Sequence, residues 1–199
     1  MLSVSTATSA STGAATADFR RHLVSADAQR AVHWIVRSAD HHGLPFAVVD
    51  KNNARLYVFD ASGKLQGDSA ALLGQTPGDE IAPHVGAHAA AGFVPVHERT
   101  TPAGRFVSKP GRNLQGEAIV WVDYESAFAI HRLRPGAAHA TRAARLASPT
   151  PQDNRMSLGC VIVPVAFYTS VVERVLGRSS AVVYVLPESG SLRDVFNAL

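Results

Sequence analysis

The sequence predicts a mainly β fold with a few helices. Short apolar segments with partial alternation recur at 46–50, 55–60, 117–123 and 181–186, and turn-forming residues separate several of them. Helical spacing of apolar residues is found mainly before the first of these segments and after the single cysteine. With 199 residues, of which 46% are hydrophobic, the chain suits one domain with a sizeable core.

The charge balance and the apolar pattern exclude some partners. The formal net charge is +3, and the basic residues are scattered without an aromatic stacking platform, so we expect no nucleic acid partner. No apolar run approaches the ~20 residues that span a bilayer, so no membrane span is expected. Cys160 is the only cysteine, and no intrachain disulfide can form.

Two segments precede the strands. Residues 1–17 are nearly all Ser, Thr and Ala and carry no charge, a composition that predicts a disordered leader or linker. Residues 18–45 are predicted to form a helical extension, because apolar side chains fall at helical spacing and Gly43 and Pro45 end the pattern. Ser25 is a candidate cap for a helix that follows it.

The predicted β domain spans 46–187 and opens with an antiparallel meander. Strands at 46–50 and 55–60 flank a Lys-Asn-Asn turn, and a third strand is expected at 65–73. Each strand pairs with the next along the chain, because the connecting turns are short.

The pattern is lost between residues 75 and 99, where Gly, Pro and Ala dominate. His84 and His88 have the spacing of a zinc-binding pair on a helix. The neighbouring prolines and glycines argue against a helix here, and no acidic residue lies between the two histidines. We therefore predict no metal site.

The next segments are expected to bring a histidine to the end of a core strand. Pro102 and Gly104 form a turn that leads into a strand, and a second strand at 117–123 returns as a third at 127–131. His131 closes that last strand. Residues 132–156 then form a long, polar, Arg-rich loop with a short helix predicted at 139–147.

The only thiol lies between a glycine and a β-branched apolar run. A helix is predicted at 164–176, a final strand at 181–186 and a short C-terminal helix within 188–199. Cys160 in this setting is a candidate nucleophile, although a free cysteine in a β-rich segment is also typical of a small core residue. A catalytic cysteine would need a base elsewhere in the chain.

Three motifs, in this order, resemble those of the L,D-transpeptidase catalytic domain, also called the YkuD type. The Thr-Pro-Ala-Gly-Arg-Phe run at 101–106 resembles that family's turn-and-strand signature, and Ala-Ile-His at 129–131 resembles the strand that delivers its histidine. Ser-Leu-Gly-Cys at 157–160 resembles its Ser-His-Gly-Cys nucleophile motif. The resemblance covers about residues 46–187 and implies a β-sandwich of mixed strands with a helix or two packed on it.

The resemblance implies an exported cysteine acyltransferase of bacterial peptidoglycan, which takes part in cell wall biogenesis. Such enzymes attack the carbonyl between an L-centre and D-alanine in a stem tetrapeptide, release D-alanine, and pass the acyl group to an amine, or to water as an L,D-carboxypeptidase. The expected partners are peptidoglycan stem peptides and carbapenem-type inhibitors. The expected location is the periplasm or cell envelope, with no cofactor, no metal and a monomeric state.

The catalytic residues expected from this resemblance are Cys160 as nucleophile and His131 as its base, held as imidazolium in an ion pair. The backbone carbonyl of Arg132 is implied to orient the imidazole. The N–H groups of Gly159 and Cys160 are the predicted oxyanion donors. From the residues alone, His131 is equally consistent with a satisfied core histidine, and Gly159 with a β-bulge or tight turn.

Arg155 is the predicted carboxylate-binding residue, because it lies five residues before the thiol and a guanidinium matches a carboxylate in a two-bond fork. Ser157, Leu158 and Tyr124 are also predicted to contact substrate. Trp121 is a further candidate wall of the cleft, although such aromatic residues are also typical of a core or rim. The loop arginines at 134, 142 and 145 could bind stem-peptide carboxylates in the same way, but for each of them we favour a solvated basic surface.

Two departures from the family pattern leave other functions open. Leu158 stands where the family usually has histidine, and His131 and Cys160 are farther apart along the chain than is usual. Leu158 favours the alternative of a catalytically inactive peptidoglycan-binding module of the same fold. A third candidate is a structural or interaction domain in which Cys160 is only packed.

Overall fold

A computed structural model describes residues 24–196 of this chain. The leader predicted at 1–17, the beginning of the helical extension and the last three residues of the predicted C-terminal helix lie outside the described residues. Within residues 24–196, no helix is both long enough and apolar enough to cross a membrane.

The first described helix, α1, spans Ala26–Ser38. Ser25 caps it as predicted, since its side chain accepts a hydrogen bond from the N–H of Ala28. Ala39 ends the helix in the left-handed conformation. The buried face of α1 consists of small and β-branched side chains, which lie against the sheet (Ala28, Ala31, Val32 and Ile35).

Eight strands form one mixed sheet, in the order β3-β2-β1-β10-β5-β6-β7-β9. Their bounds are Phe46–Asp50 (β1), Arg55–Phe59 (β2), Leu65–Ala70 (β3), Gly104–Arg112 (β5), Ala118–Asp123 (β6), Phe128–Arg132 (β7), Val161–Val163 (β9) and Ala181–Val185 (β10). The pairs β1–β10 and β7–β9 are parallel, and the other neighbouring pairs are antiparallel. The predicted fold class, mainly β with mixed strands and a few helices, is confirmed.

Strand β5 bends this sheet into two facing halves. Its first part, Gly104 to Ser108, pairs with β10, and its second part, from Lys109 to Arg112, pairs with β6. One continuous core therefore receives side chains from both halves, such as Val49 and Val58 from one and Val120 and Ile130 from the other.

A helix after the cysteine closes this core. It consists of α4, Val165–Phe167, a π-helical segment, Tyr168–Val172, and α5, Glu173–Val175. The helix predicted at 164–176 is thus present, with Pro164 just before its first residue. Tyr168, Val172 and Leu176 are buried in the core between the two halves of the sheet.

The opposite face of strands β1, β2 and β10 is covered by α1 and by the short helix α6, Leu192–Phe196. Aromatic rings hold this layer together. Trp34 of α1 stacks on Phe196 of α6, with centroids 6.0 Å apart, and both rings contact Tyr184 of β10.

The third strand of the meander is shorter than the sequence predicts. Strand β3 ends at Ala70, and Leu73–Gly74 forms a separate strand, β4, which pairs in parallel with β8, Arg155–Ser157. The prediction of one strand over 65–73 is therefore wrong. The chain leaves β2 after Ala70 because the backbone pairs elsewhere from Leu72 onward. Leu72 exchanges hydrogen bonds with Ile162, after the cysteine, and the N–H of Gln75 donates to the carbonyl of Ser157, before it.

The prediction against a helix near His84 is also wrong. A short helix, α2, spans Val85–Ala90. Pro83 does not disrupt it, because this residue lies ahead of the first helical turn. Gly86 allows a close approach to a neighbouring loop, since a Cβ there would lie 1.8 Å from the carbonyl oxygen of Glu125.

His84 and His88 form no metal cluster with other described residues. Within residues 24–196, no group of three or more His, Cys, Asp or Glu side chains is arranged to hold a metal ion. Nδ1 of His88 instead lies 2.7 Å from Oε2 of Glu98.

The predicted helix in the Arg-rich loop is present as α3, His139–Ala147. Leu146 of this helix packs with Leu133 and with Ile162 of β9 in a small apolar cluster. Asn154 anchors the end of the loop, because its side-chain amide donates to the carbonyl of Ala71 at 3.0 Å. The segment between His131 and Cys160 is thus packed onto the edge of the sheet.

Candidate active site

The thiol lies in a tight turn between β8 and β9. Gly159 has a φ of +131°, a conformation that L side chains rarely adopt, and a Cβ there would lie 3.0 Å from the carbonyl oxygen of Thr100. The buried hydroxyl of Ser157 donates to the Cys160 carbonyl at 2.6 Å and accepts from the Gly159 N–H at 3.0 Å. Ser157, the first residue of the turn, therefore stabilises the conformation of the turn.

Thr101 holds the same turn from the opposite side. Its hydroxyl donates to the carbonyl of Gly159 at 2.7 Å and accepts from the N–H of Gly74 at 2.8 Å, and the residue is fully buried. This positioning role was not assigned from the sequence, although Thr101 opens the run at 101–106 that carries part of the family resemblance. A threonine that precedes a proline and a strand carries no sequence signal of the distant backbone groups that its hydroxyl bonds.

The pairing of β7 with β9 brings His131 and Cys160 to one surface. Ile130 pairs with Val161, and His131 pairs with Ile162. Continuing this register by one residue places Cys160 beside Ala129. Because side chains alternate along strands, Ile130 and Val161 point into the core, whereas His131 and Cys160 lie on the opposite face as diagonal neighbours.

The imidazole of His131 is oriented by the next residue. Its Nδ1 lies 2.9 Å from the carbonyl oxygen of Arg132, the partner that the family resemblance implies. A carbonyl only accepts, so Nδ1 carries the proton. In a neutral ring, Nε2 is then the acceptor, with its lone pair free for a proton from another group.

The site favours a neutral imidazole. Burial lowers the pKa of His131 to about 4, and the positive charges of Arg134 and Arg142 act in the same direction. The Arg132 carbonyl and the Glu117 carboxylate oppose this shift only in part. His131 is thus uncharged near neutral pH.

Burial also favours the neutral form of the thiol. Burial raises the pKa of Cys160, while a hydrogen bond with the backbone of Ala129 and the charge of Arg134 oppose that rise. Its Sγ also lies 3.5 Å from the carbonyl oxygen of Ala127, an acceptor for an S–H donor. Desolvation therefore disfavours both charged forms of the imidazolium–thiolate ion pair in the resting site, and the ion pair stays a prediction.

His131 and Cys160 line one cleft of about 780 Å³. Trp121 and Tyr124 form an aromatic wall, with their rings edge to face at 5.0 Å, and Tyr124 is 75% exposed at the rim. Leu158 also lines the cleft and is half exposed. Tyr124 and Leu158 are therefore placed where the sequence predicts substrate contacts.

Arg155 is not in this cleft. Its guanidinium forms an ion pair with Glu188 and hydrogen-bonds the carbonyl of Lys51 at 3.3 Å. The prediction that Arg155 binds a substrate carboxylate is wrong, because the parallel pairing of β8 with β4 turns this side chain toward the C-terminal segment. Two loop arginines that the sequence suggested were solvated, Arg134 and Arg142, line the cleft instead.

The prediction that the Gly159 N–H is an oxyanion donor is wrong. The Gly159 N–H is already bonded to Ser157, so it is not free to stabilise a negative charge. The Cys160 N–H stays a candidate donor. Ser157 lines the cleft, but both of its hydroxyl bonds go to the turn. It therefore positions Cys160 and is not free to bind substrate through its hydroxyl.

Comparison with solved structures finds L,D-transpeptidases. The similar structures include a carbamoyl enzyme of Ldtfm with avibactam (17% identity, 72% of this chain, 49% of that chain, TM-score 0.39). An Enterococcus faecium L,D-transpeptidase with a cysteine-to-serine substitution matches at 17% identity over 71% of this chain and 49% of that chain, with a TM-score of 0.38. The catalytic domain of an E. faecium L,D-transpeptidase matches at 18% identity, over 71% of this chain and 96% of that chain, with a TM-score of 0.36.

The match spans about half the length of the first two of these structures. No known family profile matches the sequence, and no curated protein sequence matches it.

Proposed function

We propose that this chain is a cysteine acyltransferase of the L,D-transpeptidase type. One observation carries the proposal: Cys160 and His131 lie on the same face of adjacent parallel strands and line one open cleft. An orienting carbonyl leaves the Nε2 lone pair of His131 free to accept a proton. A thiol, a base and an orienter in this order are the parts that nucleophilic acyl transfer requires.

The first half of the reaction forms a thioester. Nε2 of His131 removes the thiol proton as the sulfur of Cys160 attacks the substrate carbonyl, and the Cys160 N–H donates to the oxygen that becomes negative. The C–N bond then breaks, and the departing amine takes the proton from the imidazolium. Because both resting groups are neutral, charge develops only in the presence of substrate.

The second half transfers the acyl group. An acceptor amine attacks the thioester carbonyl, His131 takes its proton, and the thiol of Cys160 leaves as the new amide bond forms. Water in place of the amine would give hydrolysis. The proposed donor is the stem tetrapeptide of peptidoglycan, with release of D-alanine, and the proposed location is the periplasm or cell envelope.

Purified muropeptides test this function. The wild-type protein should release D-alanine from a tetrapeptide muropeptide and form a covalent adduct with a carbapenem, visible as a mass increase of the intact protein. Cys160→Ala should abolish both. Avibactam, which forms a carbamoyl enzyme in one of the similar structures, serves as a second electrophile. Absence of both turnover and adduct in the folded wild-type protein would contradict the proposal.

Leu158 favours a second candidate, a peptidoglycan-binding module without turnover. Its half-exposed side chain occupies the cleft beside the turn, at the position where the family usually has histidine. An adduct without release of D-alanine, together with binding of intact peptidoglycan, would support this alternative. Restoring histidine in Leu158→His should raise turnover if the cleft, and not the nucleophile, limits activity.

A further inference from the structure

One wall of the cleft, beside His131, is formed by arginines of the long loop. Helix α3 is held against the sheet by Leu146, which packs with Leu133 and Ile162. Arg142 lies one turn before Leu146, on the same side of the helix, and therefore reaches the cleft. Arg145 does not line the cleft and pairs with Asp153 at 2.9 Å.

The charges on this wall do not balance. Glu117 is shared between two cations, because its Oε1 lies 3.0 Å from Arg132 and its Oε2 lies 2.9 Å from Arg134. Within residues 24–196, no carboxylate lies within ion-pair distance of Arg142, and its buried Nε has no hydrogen-bond partner. Among the described residues, the one carboxylate that lines the cleft, Glu125, belongs to the segment beside Tyr124.

A buried guanidinium nitrogen without a hydrogen-bond partner is costly. A carboxylate pairs with a guanidinium through two parallel hydrogen bonds. We infer that Arg142, together with Arg134, forms a carboxylate-binding subsite of the cleft beside Cys160 and His131. The inference rests on the proposed function, in which the carboxylate belongs either to the acyl donor or to the amine acceptor. This subsite gives the Arg-rich loop at 132–156 a role in selecting anionic substrates.

Two alkylating reagents of similar size test the subsite without requiring turnover. Iodoacetate carries a carboxylate and iodoacetamide does not, so the ratio of their rate constants at Cys160 reports the local potential. The ratio is measured by intact mass at one pH for the wild type and for Arg142→Gln, Arg134→Gln and Arg142→Lys. Arg145→Gln is the matched control, since it removes the same charge from the same helix outside the cleft.

We expect Arg142→Gln to lower the iodoacetate-to-iodoacetamide ratio about fivefold, with a smaller loss in Arg134→Gln and a partial retention in Arg142→Lys. The ratio should not change in Arg145→Gln. An unchanged ratio in both cleft variants, or an equal loss in Arg145→Gln, would overturn the subsite. Alkylation of Cys160 needs no acyl transfer, so these results separate the subsite from the enzymatic proposal.

Substrate kinetics then identify the source of the carboxylate. If the donor supplies it, Arg142→Gln should raise the KM for a tetrapeptide donor but not for its C-terminal amide. If the acceptor supplies it, the variant should slow transfer to glycine more than transfer to glycinamide. Equal effects on all four substrates would overturn the subsite as a specificity element.

Discussion

At the scale of single residues, the protonation states of Cys160 and His131 determine how the site can work. Burial pushes both pKa values toward the neutral forms, and the orienting Arg132 carbonyl leaves the accepting nitrogen of the imidazole unprotonated. In the proposed reaction, His131 accepts the thiol proton only when substrate is bound, because burial disfavours an ion pair beforehand.

Alkylation of Cys160 tests this resting state. Because burial raises the thiol pKa, iodoacetamide should label Cys160 slowly at neutral pH, with a midpoint above the ordinary value of about 8.5. His131→Gln should change this midpoint little, since a neutral imidazole does not stabilise the thiolate. Fast labelling at pH 6–7 that is lost in His131→Gln would reveal a preformed ion pair and contradict this assignment.

The lowered pKa of His131 also predicts acid sensitivity. The unfolded chain protonates this histidine near pH 6.5, whereas the folded protein does so only near pH 4. Stability from this residue is therefore fully present above pH 6.5 and is lost as the pH falls toward 4, by roughly 3 kcal/mol at most. Urea unfolding at several pH values should show a shallower loss in His131→Gln, and an identical slope in both proteins would contradict the shift.

At the scale of elements, the turn from Ser157 to Cys160 depends on a hydroxyl from another part of the chain. Thr101 bonds both the Gly159 carbonyl and the Gly74 N–H, and thereby joins β4, the start of β5 and the nucleophile turn. A rigid turn of this kind keeps Sγ at a fixed place in the cleft that His131 also lines, as the proposed nucleophilic catalysis requires.

Thr101→Val keeps the shape of the side chain but leaves two buried polar groups without partners. We expect a loss of about 2–4 kcal/mol in the free energy of unfolding, together with a slower reaction of Cys160 with a carbapenem. Thr169→Val is the control, because Thr169 bonds backbone carbonyls on the exposed surface of a helix. Equal stability of Thr101→Val and the control would show that these bonds do not hold the turn.

Local patterns predict elements more successfully than contacts between distant segments. Alternating apolar residues located strands β1, β2, β6, β7 and β10, and the Arg-rich loop contained the expected helix. The proposed nucleophile, its proposed base and the Arg132 carbonyl followed from motifs that resemble a known family. Arg155 was misassigned because proximity along the chain does not reveal the direction of a side chain, whereas pairing between β4 and β8 does.

At the scale of the whole molecule, the bend at β5 allows one sheet to enclose a core and present a cleft on its outer face. A buried ion-pair network secures loops near the site. Lys51 donates to the carbonyls of Gly78 and Thr101 at 2.6 and 2.9 Å and to Asp79 at 2.6 Å, and its side chain is fully buried. Because one of its partners is the backbone of Thr101, the network supports the nucleophile turn indirectly.

Lys51→Met should destabilise the folded protein by about 3–5 kcal/mol, because it leaves the Asp79 carboxylate without its buried cation. Arg30→Met, which removes an exposed ion pair with Asp27, should cost less than ~1 kcal/mol. Denaturant unfolding measures both variants. A similar small loss in the two would show that the buried network adds no stability.

The rate of Cys160 acylation by a carbapenem in the wild type and in folded His131→Gln tests the central claim most directly. If the imidazole removes the thiol proton, the variant should react about 100-fold more slowly at pH 7, with unchanged circular dichroism. An equal rate in the two folded proteins would contradict the pairing of this base with this nucleophile.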